Sequence, residues 1–286
     1  MTQGSTIATT GTPVYEVAVQ TSGLDLEVRV NDVPVMRVPG GHVETGFDVN
    51  PHVVTGINQL GVIVRPPAKT GQYEPAATCT ITLRVRDAPG SSIVEERGTL
   101  RFAVPQIEAD TAFEGSTTPE GAEPVVEVAA GDVVRARIQV MLATPFAPWS
   151  WLQADMLTDT TDTFDEVLDQ TKALWSLIQA KDVPALEAAC AEQAGDWQTA
   201  YYLPDEATGQ QMLGVSKTLG DPDVVPMPFP DPDGLSLQIL GFGRLAQIVD
   251  ADGKGPITLS VKNVATMTGR FNVILCRRDG AWTMIR

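Results

Sequence analysis

The sequence predicts two domains of different class: an all-β antiparallel sandwich first, then an α+β unit in which helices pack on a curved antiparallel sheet. Three observations carry that prediction. Up to Leu142 apolar and polar residues alternate in period two, from Phe164 apolar residues fall in the i, i+3, i+4 rhythm of an amphipathic helix, and after Gly234 only strand-like runs return. A chain of 286 residues is long for one core, so two are expected. The boundaries read as a flexible N-terminus over 1–13, a sandwich over 14–142, a Pro/Trp-rich junction over 143–161 and the α+β unit over 162–286.

In the first domain the strand-like runs are Y-E-V-A-V, L-D-L-E-V-R-V, L-G-V-I-V, C-T-I-T-L-R-V-R, G-T-L-R-F-A-V and V-V-R-A-R-I-Q-V. Glycine, proline and asparagine separate them, and no helical period intervenes, which is the pattern of an antiparallel sandwich. Two segments, V-N-D-V-P-V from Val30 and V-N-P-H-V-V-T-G-I-N-Q-L-G-V-I-V from Val49, resemble the jelly-roll of galactose-binding-like domains, so a jelly-roll or immunoglobulin-like sandwich is the expected form. Members of that family bind sugar through loop residues, and many only support a neighbouring domain. Asn58, two residues after Gly56, reads as a turn residue bonding its own backbone rather than as a sugar contact.

The junction A-T-P-F-A-P-W-S-W-L-Q-A-D holds two prolines that forbid regular helix and three aromatics that favour burial. Phe146, Trp149 and Trp151 are therefore interface candidates, either as a wedge fixing the angle between the domains or as an exposed aromatic platform. The wedge is favoured, because a short apolar linker left free would expose a sticky patch.

Beyond it, Phe164, Val167, Leu168, Leu174, Trp175 and Ile178 predict a helix to about Ala180, with Asp162 or Thr163 as its N-cap. Asp182-Val183-Pro184 predicts a second helix through Leu186, Ala189 and Cys190, and Asp205-Glu206 a third carrying Met212, Leu213 and Val215. After the Pro/Asp-rich stretch 221–234, strands are expected over 235–250, 256–264 and 271–286. The last of these folds back at Asp279-Gly280, and Trp282 is expected to face the helices. Gly241 to Arg244, G-F-G-R, reads as a bulge within a strand, and Asp250 to Gly253 as a hairpin turn. Helices followed by a meander, closed by R-R-D-G-A-W-T-M-I-R, resemble the cone-shaped fold of the nuclear-transport-factor-like superfamily. That resemblance implies a pocket between helices and sheet, used by some members for isomerase, dehydratase or hydrolase chemistry and by many for binding or dimerisation.

The residues offer little for such chemistry. Both histidines, His42 and His52, lie in the sandwich, so an acid/base site in the second domain would need a buried carboxylate, Asp196 or Asp205, each of which also reads as a turn or cap residue. Trp197, Tyr201 and Tyr202 are the pocket-lining candidates, Trp197 and Tyr201 sharing a helix face. Asp221, Asp223, Asp231 and Asp233 could gather calcium, but they also suit an ordinary solvated loop, and no metal or other cofactor is expected. Cys79, Cys190 and Cys276 are too scattered for a disulfide framework or zinc site and read as buried thiols of a reducing cytoplasm.

Acidic residues number 36 against 20 basic, split 18 to 10 up to Asp155 and 18 to 10 after it. The net charge of −16 is thus spread evenly and repels nucleic acid. The chain starts with neither a cationic segment nor an apolar one, and no apolar run approaches the roughly 20 residues of a membrane helix. The expected function is a non-catalytic binding protein of bacterial type that uses a two-domain surface to contact a protein partner or to dimerise. Two alternatives stand beside it. One is an enzyme acting on a small apolar molecule in the cone pocket, with a buried carboxylate as base and Tyr201 or Tyr202 as donor; the other is carbohydrate binding through the sandwich loops.

Overall fold

The computed structural model describes residues 11–91, 94–103, 125–129, 133–262 and 264–286, the side chains of 94, 125–129 and 264–267 excepted; most of the expected flexible N-terminus, residues 1–10, lies outside them. The chain divides into two compact units, Met1–Pro148 and Trp149–Arg286. Among the described residues there are sixteen strands in four antiparallel sheets and five α-helices, and every α-helix belongs to the second unit.

The first unit holds β1 (Val14–Ser22), β2 (Asp25–Val30), β3 (Val33–Val38), β4 (His42–Asp48), β5 (Gly56–Arg65), β6 (Thr78–Arg86), β7 (Val94–Ala103), β8 (Val125–Ala129) and β9 (Val133–Leu142). They form a four-stranded sheet, β4-β1-β6-β7, and a five-stranded sheet, β3-β2-β5-β9-β8. Alternation sets the faces: in β9, Val134, Ala136, Ile138, Val140 and Leu142 are buried while the intervening Arg135, Arg137, Gln139 and Met141 are exposed. The sheets touch where β7 meets β9. A methyl group at Gly98 would stand 2.7 Å from Val140 and 2.9 Å from Ile138, so only glycine lets the strands approach this closely.

The asparagines of the two resemblance-carrying segments close this unit internally. Asn31 and Asp32, at φ 52° and 61°, make the left-handed turn between β2 and β3. The Asn31 amide donates to the Asn58 side-chain oxygen at 2.9 Å and to the His52 carbonyl at 2.8 Å. Asn58 in turn donates to the carbonyls of Val54 and Gly56 and accepts from the Val54 N–H. It does bond its own backbone, as expected, and it also bonds a second strand turn 27 residues away. Asn50 accepts from the Tyr15 N–H at 2.7 Å and donates to the Pro13 carbonyl. All three asparagines are buried, so each amide needs partners, and each has them.

The second unit opens with a 3₁₀ turn, Ser150–Gln153, followed by α1 (Thr161–Ala180), α2 (Val183–Ala189), α3 (Ala191–Ala200), α4 (Glu206–Leu213) and α5 (Val215–Gly220). Helix α1 is capped by Thr160, whose hydroxyl accepts from the Thr163 N–H, two residues before Asp162, the nearer of the two expected caps. Asp182 and Asp205 cap α2 and α4 as predicted. Helix α3 was not separable from the sequence, because its N-cap, Cys190, provides no side-chain bond.

The strands are β10 (Val224–Pro226), β11 (Ser236–Leu240), β12 (Leu245–Val249), β13 (Thr258–Val261), β14 (Val264–Arg270), β15 (Leu275–Arg278) and β16 (Ala281–Met284). They form not one sheet but two, β10-β13-β14 and β11-β12-β15-β16. Among the described residues no strand of one pairs with a strand of the other, and within the second sheet β12 pairs with β15 only at Leu245 and Ala246. Gly241 to Gly243, expected as a bulge inside a strand, instead form the tight turn between β11 and β12, with φ 56°, 59° and 86° at three consecutive residues. Glycines on either side make that run possible, and they hold Phe242 46% exposed. The core of the unit lies between α1, α2 and the sheets, where Val167, Ile178, Leu186, Ile248, Ile257 and Leu275 are almost fully buried. No helix among the described residues is long and apolar enough to cross a membrane.

Candidate functional site

The closing hairpin is bonded to helices through both of its faces. Asp279 and Gly280, at φ 51° and 78°, form its two-residue turn. In an antiparallel pair, opposed residues share a face and sequence neighbours point to opposite faces. Arg277 opposes Trp282, so these two share one face and Arg278 takes the other.

On the first face Arg277 donates to Glu166 of α1 at 3.2 Å, and the Trp282 indole N–H donates to the same carboxylate oxygen at 2.9 Å. Arg277 also pairs with Asp155 at 3.4 Å and stands 5.6 Å from the centre of the Trp282 ring. On the second face Arg278 pairs with Glu192 of α3, and the other oxygen of that carboxylate accepts from the Ser150 hydroxyl. One turn along α3, Asp196 receives the Arg286 guanidinium at 2.8 Å, the two side chains only 12% and 8% exposed.

Burial pushes the Asp196 carboxyl above the ordinary range of an aspartate, and Arg286 pulls it back only in part. Asp205 is the opposite case. The Thr208 N–H and hydroxyl both donate to it at 2.8 Å and hold its pKa down. Asp205 is thus a cap, as one reading of the sequence had it, whereas Asp196 is neither a cap nor a turn residue but lies within a helix. The three cysteines are buried free thiols; burial pushes Cys79 up to about 12 and Cys190 and Cys276 up to about 11, so none is a thiolate at neutral pH.

Between the polar face of α1 and the hairpin lies an open groove of about 540 Å³. Asp155, Glu166, Asp169, Gln170, Arg277 and Trp282 line it, together with the turn glycine Gly280. Glu166, Asp169 and Gln170 fall at i, i+3 and i+4 of α1 and so share a face. Three carboxylates therefore meet one guanidinium here. Asp155 and Glu166 both bond Arg277, while Asp169 makes no ion pair among the described residues.

The aromatic candidates sit elsewhere. Trp197 and Tyr201 meet on α3 with ring centres 5.7 Å apart and planes at 76°, as their spacing predicts, and Tyr202 leaves the helix at φ 56°. The Trp197 indole N–H is buried without an acceptor among the described residues. Phe146 packs edge-on against Tyr15 within the first unit, at 6.1 Å. Trp149 and Trp151 are buried, and Trp151 lies beside Gly241 in the second unit. The aspartates of the Pro/Asp-rich stretch hold local turns: Asp221 and Asp231 accept from the N–H groups of Asp223 and Asp233. Asp250 likewise accepts from the N–H groups of Asp252 and Lys254.

Of the groove residues, Gly280 and Trp282 are the ones marked out by their sequence context, as turn glycine and as helix-facing aromatic. Glu166, Asp169 and Gln170 carried a usable signal as a polar stripe on the outward face of α1, but nothing local connects them with Arg277, 111 residues from Glu166. Comparison of the chain with protein-family models and with curated proteins returns no match.

Proposed function

We propose that this chain is a non-catalytic interaction protein that engages a protein partner, or a second copy of itself, through the groove between α1 and the closing hairpin. The groove carries this reading. Its volume of about 540 Å³ falls in the range of ordinary binding sites, and its walls are tied together by Arg277, Glu166 and Trp282, so it is preorganised for contact. The alternatives find less support. An acid/base reaction needs a carboxylate that can exchange its proton with a substrate, and Asp196 is committed to Arg286 while Asp205 is committed to capping α4. Apolar side chains such as Val167, Ile178 and Ile248 occupy the space between helices and sheet that a substrate would need. For sugar binding, the Asn58 amide is already bonded on both of its polar atoms.

In this reading the first unit is a jelly-roll or immunoglobulin-like sandwich that supports the second, and the second is a cone of the nuclear-transport-factor type. The contact at Gly98 and the helices laid on the hairpin support those assignments. A reducing cytoplasm suits three buried free thiols. The test is cross-linking mass spectrometry on stoichiometric complexes captured from the native cell, with the wild type and with Asp169→Lys/Gln170→Lys, two exposed positions of α1. Cross-links at 155–170 or 277–282 that vanish in the variant are expected. A clean monomer with no stoichiometric partner, or a partner held elsewhere and indifferent to the variant, would remove the proposal.

A further inference from the structure

Resting on the reading of the groove as the contact surface, we propose that its occupant is an arginine-bearing basic segment of the partner, whose guanidinium pairs with Asp169 and lies along Trp282. The charge balance selects the sign. Three carboxylates and one guanidinium leave the groove at −2 in a chain of −16, so a cationic segment is drawn in and an acidic one repelled. Asp169 is the carboxylate available for that role, since Asp155 and Glu166 are both engaged by Arg277.

The resident arginine indicates which cation fits. Arg277 already shows how this wall treats a guanidinium: it stands 5.6 Å from the indole centre while bonding carboxylates on either side. A planar guanidinium can stack on an aromatic face and fork across a carboxylate together, which the compact ammonium of lysine cannot do. Gln170, one residue beyond Asp169, adds an amide oxygen that accepts a further N–H. The volume admits an extended side chain with its flanking backbone.

The test uses the full chain and a fluorescein-labelled heptapeptide amide, Gly-Ala-Arg-Ala-Arg-Ala-Gly, with lysine and glutamate twins, read by anisotropy at low and at higher salt. The arginine peptide should bind more tightly than the lysine twin, the glutamate twin should not bind, and added salt should weaken the complex. Asp169→Asn should weaken it by about two- to fivefold, and Asp169→Lys by about tenfold or more. Asp87→Lys, the same charge change on an exposed site that is not among the groove residues, should leave it within about twofold, the effect of a change in overall net charge alone. The indole N–H resonance of Trp282, assigned by its loss in Trp282→Phe, should shift on titration.

Equal weakening by Asp87→Lys and Asp169→Lys would reduce the binding to bulk attraction and overturn the proposal. Equal affinity of the lysine twin would overturn the guanidinium assignment, and self-association abolished by Asp169→Lys without peptide binding would replace the basic segment by a second copy. A native partner lost on changing Asp169 and Gln170, combined with an arginine peptide that fails to bind, would leave the groove as the contact surface and overturn this inference alone.

Discussion

In the first unit, the buried asparagines and Tyr15 are satisfied mainly by backbone groups at every sequence distance: Asn50 bonds Tyr15 and Pro13, 35 and 37 residues away, and the Tyr15 hydroxyl donates to the Ala143 carbonyl, 128 residues on. Asn58 bonds Val54 four residues back and Asn31 27 residues back, and the buried Glu27 is held by Arg29 and Arg37 of its own strand and the next. In the second unit the closing hairpin and the chain end reach across 86 to 116 residues, Arg278 to Glu192, Arg286 to Asp196, Arg277 and Trp282 to Glu166. The difference is one of chemistry more than of distance: Glu27 apart, the buried groups named in the first unit are neutral. Neutral amides closed by backbone groups respond weakly to pH and salt, whereas long-range ion pairs with desolvated members respond to both. The second unit is therefore the part of the molecule whose integrity depends on its last residues.

The sharpest way to break the comparison is to remove residues 280–286. Strand β16 and Arg286 go with them, and the second unit should lose cooperative unfolding while the first keeps its protected strand amides. All five tryptophans lie in Trp149–Arg286, so tryptophan emission follows the second unit alone, and a retained cooperative tryptophan transition would contradict the expectation. Next in size is Arg286→Met. It leaves Asp196 buried without its partner and should destabilise the second unit by about 3–5 kcal/mol in urea unfolding, most of which a further Asp196→Leu should return.

Asn58→Ala removes one of the two acceptors of the Asn31 amide and strands the Val54 N–H, and should lower the stability of the first unit by about 2–3 kcal/mol without moving the tryptophan transition. The smallest effect is read against pH. Because the Asp196 pKa is raised in the folded protein, its contribution is fully present below about pH 4, the ordinary carboxylate range, and is lost as pH rises through the raised value. The urea midpoint of the wild type, taken relative to Asp196→Asn, should thus fall as pH rises from about 4. A difference constant with pH would mean that Arg286 fully compensates the burial.

The same contrast explains what could be read beforehand. Period-two alternation reports a face directly, so strands such as β9 were legible residue by residue. Caps with side-chain oxygens, Asp182 and Asp205, announced α2 and α4. Helix α3, entered through Cys190 with no capping bond, left no such mark. The split into two sheets is decided by which strands pair, β13 with β10 and β14 rather than with β12, a tertiary outcome without a local pattern. The groove was legible by halves, a polar stripe on α1 and a tryptophan on the hairpin; what joins them is an ion pair between residues that no spacing rule relates.

Arg277 and Arg278 have one more consequence. Successive residues of a strand face opposite ways, and here each is matched by a carboxylate on its own side, Glu166 of α1 for the first and Glu192 of α3 for the second. A shift of β15 by a single residue would put one guanidinium in the other's place and carry the second to a position without a matching carboxylate, so one of the two ion pairs would be lost. The loss of that one ion pair adds a penalty for the one-residue error, which an apolar pattern this short, in a strand four residues long, would detect only weakly.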